Sequence, residues 1–364
     1  MKKSIRSCTI ALASASLLTV VSGCWTGQTT SAHGGGAGSV KHSPSSAPSN
    51  SASPSQSTPP STPTSPTASA SPSNSHIPLP TATSTPTPTA TSTPTATPAP
   101  TGTATPGTGK PGASNTGVVS GTQLTVVNGN QTFSSSGQTI SGKDFHGYVK
   151  VTGSNITFKD CIFRGGTPNG NNALLDTESG SNTVVEDSEF VPLHPAATID
   201  GVWTTNTKLY RVNIHGTVDG MKAGSNTLVQ DSYIHDTSWF ASDPNQGGGS
   251  THNDGIQAFD GVSGVTLRHN TIDLSTSKDP NAALQDSAAN TTVDNNWLDG
   301  GGCILNFAEH GHSLPGLSVT NNRFGRHSAF QCPILLSNLL SLAHNTGNVW
   351  ADTGKPIPAP QQHD

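Results

Sequence analysis

The sequence predicts an all-β fold, a right-handed parallel β-helix (a solenoid), that follows a signal peptide and a disordered Ser/Thr/Pro-rich linker. Three observations lead to this prediction. Short segments alternate apolar and polar residues and are rich in β-branched and aromatic residues, which is typical of strands. Copies of one pattern recur about every 20 to 27 residues, the range of solenoid repeats. Gly-Ser-Asn and Asp-Ser turns separate the segments, and no stretch keeps a helical period.

The repeat itself defines which positions stack. Its clearest copies begin at Gly153, Gly180, Thr205 and Gly224, and looser copies end at Ile272, Leu298 and Phe324. In a parallel β-helix, equal positions of successive copies lie one above another at about 4.8 Å. An asparagine recurs at one turn, where it tolerates a left-handed backbone and can form an amide ladder. We therefore give no site role to the turn asparagines Asn155, Asn182, Asn206, Asn226 and Asn290.

The N-terminus has the three parts of a lipoprotein signal peptide. A basic start is followed by an apolar run from Thr9 to Val21, and the run ends in Val21-Ser22-Gly23-Cys24. Small residues directly before a cysteine resemble a bacterial lipobox, in which that cysteine carries the lipid. We therefore expect Cys24 to anchor an extracellular protein to the membrane, with no other membrane contact. The alternative is an ordinary cleaved secretory signal.

The next segment is composed of Ser, Thr, Pro, Ala and Gly with almost no large apolar residue. Such a segment cannot bury enough surface to offset its ordering entropy, so we expect a disordered, extended spacer. The resulting boundaries are 1–24 for the signal peptide, 25–116 for the linker, 117–350 for the β-helix and 351–364 for a C-terminal tail.

Charge is unevenly distributed along the chain. All 22 acidic residues follow Asn115, whereas Lys and Arg occur on both sides of it. The predicted β-helix is therefore acidic, which argues against nucleic acid and anionic membrane as its main partners. A polysaccharide partner remains compatible, and it can be acidic if a divalent cation mediates the contact. The oligomeric state is open, with a monomer expected.

Five cysteines occur in the sequence. Cys8 leaves with the signal peptide and Cys24 is the predicted lipid site, which leaves three in the β-helix. In an oxidising exterior, Cys303 and Cys332 could pair. The number and spacing of the cysteines do not resemble a zinc site.

Three Asp-Gly motifs recur on consecutive copies of the repeat, at Asp200, Asp219 and Asp254. If the register holds, their carboxylates form a column with neighbours about 5 Å apart. Like charges at that distance require a proton or a bound cation, and Ca²⁺ accepts several carboxylate oxygens. We therefore predict a calcium site at these three residues. The alternative is that each Asp-Gly simply turns a corner.

Three basic residues are candidate catalytic groups, and two of them, Lys222 and His252, lie close to these motifs in the sequence. Lys222 follows Asp219-Gly220-Met221, and it could act as a general base if burial lowered its pKa. Otherwise it is a solvated lysine in an ion pair. His252 directly precedes Asn253-Asp254 and could assist a leaving oxygen, as could His235.

An inserted loop, from about Ile234 to Thr251, precedes His252. Insertions in solenoids often form the binding face, so we regard Asp236, Trp239 and Phe240 as candidate glycan contacts. The alternative is that the aromatics pack back onto the coils. Gln257 and Arg268 complete the candidate binding residues, whereas Glu309-His310-Gly311-His312 resembles a metal cluster only weakly.

At these residues the sequence resembles the secreted bacterial right-handed parallel β-helix proteins related to pectate lyases, in their actinobacterial lipoprotein form. The resemblance rests on residues 219–222, 234–236 and 252–257 within a stretch of about 120 to 350. It implies an extracellular polysaccharide partner. Some β-helix lyases place a lysine base beside a calcium-binding aspartate cluster, and Lys222 with the three aspartates resembles that arrangement. The arginine-rich pectate lyase motif and most polygalacturonase motifs are missing.

Three functions follow from these expectations. The first is a calcium-assisted polysaccharide lyase acting on pectate or another uronan by β-elimination, with Lys222 as base. The second is a non-catalytic carbohydrate-binding or cell-surface adhesion protein. The third is a polygalacturonase-like glycoside hydrolase that uses two of the aspartates as acid and base.

Overall fold

The computed structural model describes residues 109–311 and 313–363. The predicted signal peptide, Cys24 and the linker up to residue 108 lie outside the described residues, as does His312. Within the described part, no helix is long and apolar enough to cross a membrane.

The fold consists of three sheets in which every strand pairs with parallel neighbours, and strands are numbered in chain order. Sheet A contains β1 (Thr125–Asn128), β4 (Lys143–His146), β7 (Ile162–Phe163), β10 (Glu189–Phe190), β13 (Asn213–His215), β16 (Tyr233–His235), β19 (Thr271–Asp273), β22 (Trp297–Asp299), β25 (Arg323–Phe324) and β28 (Val349–Trp350). Sheet B contains β2 (Gln131–Phe133), β5 (Val149–Val151), β8 (Asn172–Asp176), β11 (Ile199–Thr204), β14 (Met221–Ala223), β17 (Asn253–Ala258), β20 (Pro280–Asp286), β23 (Cys303–Phe307), β26 (Cys332–Ser337) and β29 (Gln361–His363). Sheet C contains β3 (Thr139–Ser141), β6 (Thr157–Lys159), β9 (Thr183–Glu186), β12 (Thr207–Tyr210), β15 (Leu228–Gln230), β18 (Thr266–Arg268), β21 (Thr292–Asp294), β24 (Ser318–Thr320) and β27 (His344–Thr346).

Each coil contributes one strand to each sheet, except that the last described coil supplies only β28 and β29, so the predicted parallel β-helix is confirmed. The one short 3₁₀ helix among the described residues, Pro244–Gln246, lies in the predicted inserted loop. The sheets extend past residue 350, because β29 pairs with β26.

The core lies between the three sheets and is formed by the inward-facing residues of every coil. Phe145, Phe163 and Phe190 occupy one position on successive coils and stack with ring centroids 5.3 and 4.7 Å apart. These rings are almost completely buried. Burial of this kind is the main stabilising contribution, and the parallel register repeats it from coil to coil.

The turn asparagines behave as predicted. All five have positive φ values between 49° and 57°, the left-handed region that Asn tolerates. Asn182 donates to Asn155 at 2.6 Å, and Asn226 donates to Asn206 at 2.9 Å. These amides therefore stabilise one corner of the solenoid.

A disulfide joins β23 to β26. Cys303 and Cys332 share one register position on adjacent coils, with Cα atoms 4.7 Å apart. The pairing considered from the sequence is therefore present, and the remaining described cysteine, Cys161, is buried.

Residues 109–117 lie along the outer face of sheet A. Gly117 donates its N–H to the carbonyl of Arg211 at 2.8 Å, and Thr271 donates its hydroxyl to the carbonyl of Pro111 at 2.8 Å. The chain therefore contacts the β-helix before Thr116, at residues that the sequence had assigned to the linker.

Candidate functional site

Asp200, Asp219 and Asp254 occupy one register position on three successive coils, so they form the predicted column. The backbone N–H of Asp219 donates to Oδ1 of Asp200 at 3.4 Å, and that of Asp254 donates to Oδ1 of Asp219 at 2.9 Å. Alanines occupy the same position on the flanking coils, since Asp200 pairs with Ala173 and Asp254 with Ala282. The column therefore ends after three carboxylates.

The glycine after each aspartate is required by close packing between coils. A Cβ at Gly220 would lie 2.5 Å from the carbonyl oxygen of Gly255 and 2.6 Å from a methyl group of Ile234. Real Cβ atoms do not approach other atoms this closely, so a side chain at this position would force the coils apart. Asp200-Gly201 lies within β11 and Asp254-Gly255 within β17, so these pairs are strand residues at close contacts between coils and not corner turns. Each carboxylate accepts a hydrogen bond from the next coil.

Lys222 closes the outer side of the column. Its ammonium group lies 2.6 Å from Oδ2 of Asp200 and 3.5 Å from Oδ2 of Asp219. The indole N–H of Trp203 also donates to Oδ2 of Asp200, at 2.7 Å. Sequence reasoning missed Trp203, although its register partner is Lys222 and alignment of the two repeats would have placed them side by side.

Burial controls the protonation of the column. It raises the pKa of Asp219 to about 7, with Lys222 opposing the rise and Asp200 adding to it. Burial and the charge of Asp219 together raise the pKa of Asp254 well above its usual value. Burial lowers the pKa of Lys222, but the charges of Asp200 and Asp219 outweigh this effect and raise it overall. The direction is opposite to the one that a lysine base requires.

The oxygen atoms of the column are already engaged to a large extent. Asp200 and Asp219 each use Oδ1 for a backbone N–H, and Oδ2 of Asp200 is held by Lys222 and Trp203. Of the carboxylate oxygens of these three aspartates, only Oδ2 of Asp254 is buried without a partner among the described residues. Ca²⁺ takes six to eight oxygens. As arranged, this donor set therefore fits an ammonium group rather than calcium.

The column borders a continuous outward-facing row on sheet B, which we call the sheet B face. One register position links its members through seven successive coils, namely Lys150, Asp176, Trp203, Lys222, Gln257, Gln285 and Asn306. Lys150 pairs with Asp176 at 2.6 Å, and Asn306 donates to Gln285 at 2.7 Å. The face is thus charged at one end and lined by amides at the other.

The predicted histidines do not join Lys222 in one cluster. His235 lies on sheet A, where its ring contacts Asn213 at 3.0 Å and Asp236 at 2.7 Å. Burial lowers the pKa of His235, although Asp236 opposes the change. His252 is exposed and directly precedes β17, the strand that contains Asp254.

The inserted loop packs back onto the coils. The Lys278 ammonium lies 3.2 Å from the centroid of the Trp239 ring, and the backbone N–H of Phe240 donates to the hydroxyl of Thr251. Both aromatic side chains are half-buried. Asn245 bonds reciprocally with Asn171 at 3.0 Å, next to β8. The loop therefore contacts the coil next to the one that carries Asp200.

Two other candidates lie elsewhere on the solenoid. Arg268 is exposed on sheet C beside Asp294, so it does not share a face with Lys222. His310 contacts Asp260 at 2.7 Å in an exposed turn. Across residues 109–311 and 313–363, no group of three or more His, Cys, Asp or Glu residues is arranged to hold a metal ion.

A comparison of the sequence with protein-family models finds no match, and a comparison with curated proteins finds none either. The parallel β-helix fold is compatible with proteins that act on polysaccharides, and it hosts several unrelated activities. The assignment of a function therefore depends on the chemistry of the sheet B face.

Proposed function

We propose that this protein binds an acidic polysaccharide along the sheet B face, outside the cell. The observation that carries the proposal is the position of Lys222. Its ammonium is fixed by Asp200 and Asp219, and its side chain remains 28% exposed at the centre of the face. A fixed and partly exposed cation in an acidic domain can attract a sugar carboxylate.

The neighbours of Lys222 supply the other contacts that a glycan requires. Trp203 provides a half-buried aromatic surface on one side. Gln257 and Gln285 provide amide donors and acceptors for hydroxyl groups on the other. Since the row repeats once per coil, it suits an extended chain lying along the solenoid axis.

The surroundings of the β-helix support an extracellular location. A disulfide between Cys303 and Cys332 is typical of oxidising compartments. In the proposal, Cys24 carries the lipid anchor and the Ser/Thr/Pro-rich linker that follows it is the spacer between the membrane and the β-helix.

The binding proposal is tested with the full chain, purified and titrated with polygalacturonate, alginate and the neutral polymer dextran. We expect binding to the two uronans, weakening with salt because a charge pair contributes to it. Lys222→Gln should weaken binding about tenfold, since a hydrogen bond between charged groups is lost. Lys208→Gln is the matched control, because Lys208 is an exposed lysine on sheet C of the same coil as Trp203. Equal loss in both variants, or equal binding of dextran, would contradict the proposal.

β-Elimination of a uronan is the second candidate, favoured by a lysine beside three carboxylates. In that reaction Lys222 would take the proton next to the sugar carboxylate, which requires a neutral amine. Its contacts with Asp200 and Asp219 stabilise the charged form, so binding is the function we favour. The two are separated by ultraviolet absorbance of unsaturated uronates, with and without added calcium. Product formation that Lys222→Gln abolishes would establish the lyase.

A further inference from the structure

A second cleft lies on the outer face of sheet A, away from the sheet B face. It has a volume of about 60 Å³ and runs between two outward-facing rows of residues over the backbone of β19 and β22. Trp297 and Arg323 form one wall, and Asp273 and Asp299 form the other. Lys110, from the segment that crosses sheet A, contributes to the lining as well.

The two acidic residues of the cleft already have partners. Oδ1 of Asp273 accepts from the backbone N–H and the hydroxyl of Ser275. Oδ1 of Asp299 accepts from the backbone N–H groups of Gly300 and His327, and its Oδ2 contacts the His327 ring at 2.7 Å. Each carboxylate is nevertheless only half-buried, so it can accept a further hydrogen bond from a ligand hydroxyl.

The two basic residues of the cleft have no carboxylate partner within the described residues. Arg323 donates to the neutral side chain of Asn295 at 2.9 Å and lies over the Trp297 ring, 4.7 Å from its centroid. Lys110 is exposed at the rim. A guanidinium group held against an aromatic ring keeps its charge and its free N–H donors.

From this arrangement we infer a second saccharide site, which takes a single acidic sugar residue between Trp297 and the two aspartates. The sugar carboxylate is held by Arg323 and Lys110, and its hydroxyl groups donate to Asp273 and Asp299. The Trp297 ring supplies apolar contact area. The strand residues of the lining come from only three adjacent strands, β19, β22 and β25, so this site takes one sugar unit at a chain end or a side branch, whereas the sheet B face takes an extended chain.

Gly325 supports the shape of the cleft. A Cβ at this position would collide with the carboxylate of Asp299, so any other residue would displace that group. Gly325 thus leaves the space that the Asp299 carboxylate occupies in the wall opposite Arg323.

The site is tested on the full-length protein with D-galacturonate as probe and D-galactose as its uncharged counterpart, using saturation-transfer NMR. We expect galacturonate to bind and galactose to bind at least tenfold more weakly. Arg323→Gln should weaken galacturonate binding about tenfold, and Lys110→Gln should weaken it less, because Lys110 is exposed.

Arg326→Gln is the matched control. Arg326 belongs to the same coil and stacks on Trp350 at 3.7 Å, but it pairs with Asp352 and does not line the cleft. Retained binding in Arg323→Gln, equal binding of galactose, or no binding of galacturonate would overturn the inference. If Arg323→Gln does not fold, the exposed Lys110→Gln variant decides the outcome. Each variant is also measured in the Lys222→Gln background, in which uronate binding at the sheet B face is weakened. The galacturonate signal that remains there reports the sheet A cleft, so failure here is distinguishable from failure of the sheet B proposal.

Discussion

The ammonium group of Lys222 in β14 lies 2.6 Å from Oδ2 of Asp200 in β11, so this ion pair joins two coils of the β-helix. Only 5% of the Asp200 side chain is exposed, compared with 28% for Lys222. The pair is therefore buried on its acidic side and open on its basic side. A carboxylate in such a position depends on its partner, because it has little access to water.

Replacing Lys222 by methionine should lower the free energy of unfolding by about 3 kcal/mol, because an uncompensated charge stays buried at Asp200. Urea denaturation measures this loss. Lys150→Met is the matched control, since Lys150 forms a 2.6 Å pair with Asp176 but is 49% exposed. It should cost about 1 kcal/mol or less. Equal losses in the two variants would show that burial of the acid is not decisive.

Stability should fall as pH rises towards neutrality. Burial raises the pKa of Asp286 to about 7, and its Oδ2 atom has no partner among the described residues. A carboxyl whose pKa is raised on folding adds stability below its unfolded pKa, and this stability is lost as pH rises through about 7. Asp286→Asn cannot ionise, so it should reduce the slope between about pH 4 and pH 7, the range between the two pKa values, by up to about 1.4 kcal/mol per pH unit.

Measuring the free energy of unfolding of the original protein and of Asp286→Asn at several pH values tests the predicted pH dependence. Asp279→Asn is the control, because Asp279 is exposed and its positive φ of 44° is one that Asn tolerates. An unchanged slope in Asp286→Asn would contradict the assignment of Asp286 as a buried neutral acid. Asp219 and Asp254 should add to the slope in the same direction, since burial raises the pKa of each.

Gly220→Ala should destabilise the β-helix by about 2 kcal/mol, because the added methyl group overpacks the contact with Gly255 and Ile234. Thermal denaturation provides the measurement. Gly112→Ala is the comparison, since a Cβ at Gly112 meets no atom within 4 Å. The prediction fails if the two variants melt together.

The Cys303–Cys332 disulfide closes a sequence separation of 29 residues. Its removal in a Cys303→Ala, Cys332→Ala double variant should cost about 3 kcal/mol, mainly because the unfolded chain regains freedom. Adding a reductant should lower the melting temperature of the original protein and leave that of the double variant unchanged. A reductant effect of equal size on both would point to another cause.

Much of the fold could be predicted because a solenoid repeats its own pattern. An asparagine recurs at one turn position of five coils and an Asp-Gly pair at one position of three coils, and both columns form as their spacing predicts. These features depend on the spacing of residues along the chain, so the sequence alone reveals them.

The composition of the candidate site could be predicted only in part. His235 and Arg268 are each the last residue of a short strand with a similar sequence pattern, but His235 lies on sheet A and Arg268 on sheet C. Each coil has three faces, and the position within the coil decides which face a side chain joins. Trp203 and Gln285 were missed because they gain their role from register partners on other coils.

The sequence by itself determined the repeat, the parallel β-helix, the column of three aspartates and the cysteine pair that could form. Only the tertiary structure decided that the column is buried, that Lys222 is its cation and that residues 109–117 cross sheet A. The physical reason is that the repeat is a pattern of residue types along the chain, which can be recognised without knowing what packs against each residue. Burial and protonation instead depend on the coils and loops that pack around each group, and these are distant in the chain.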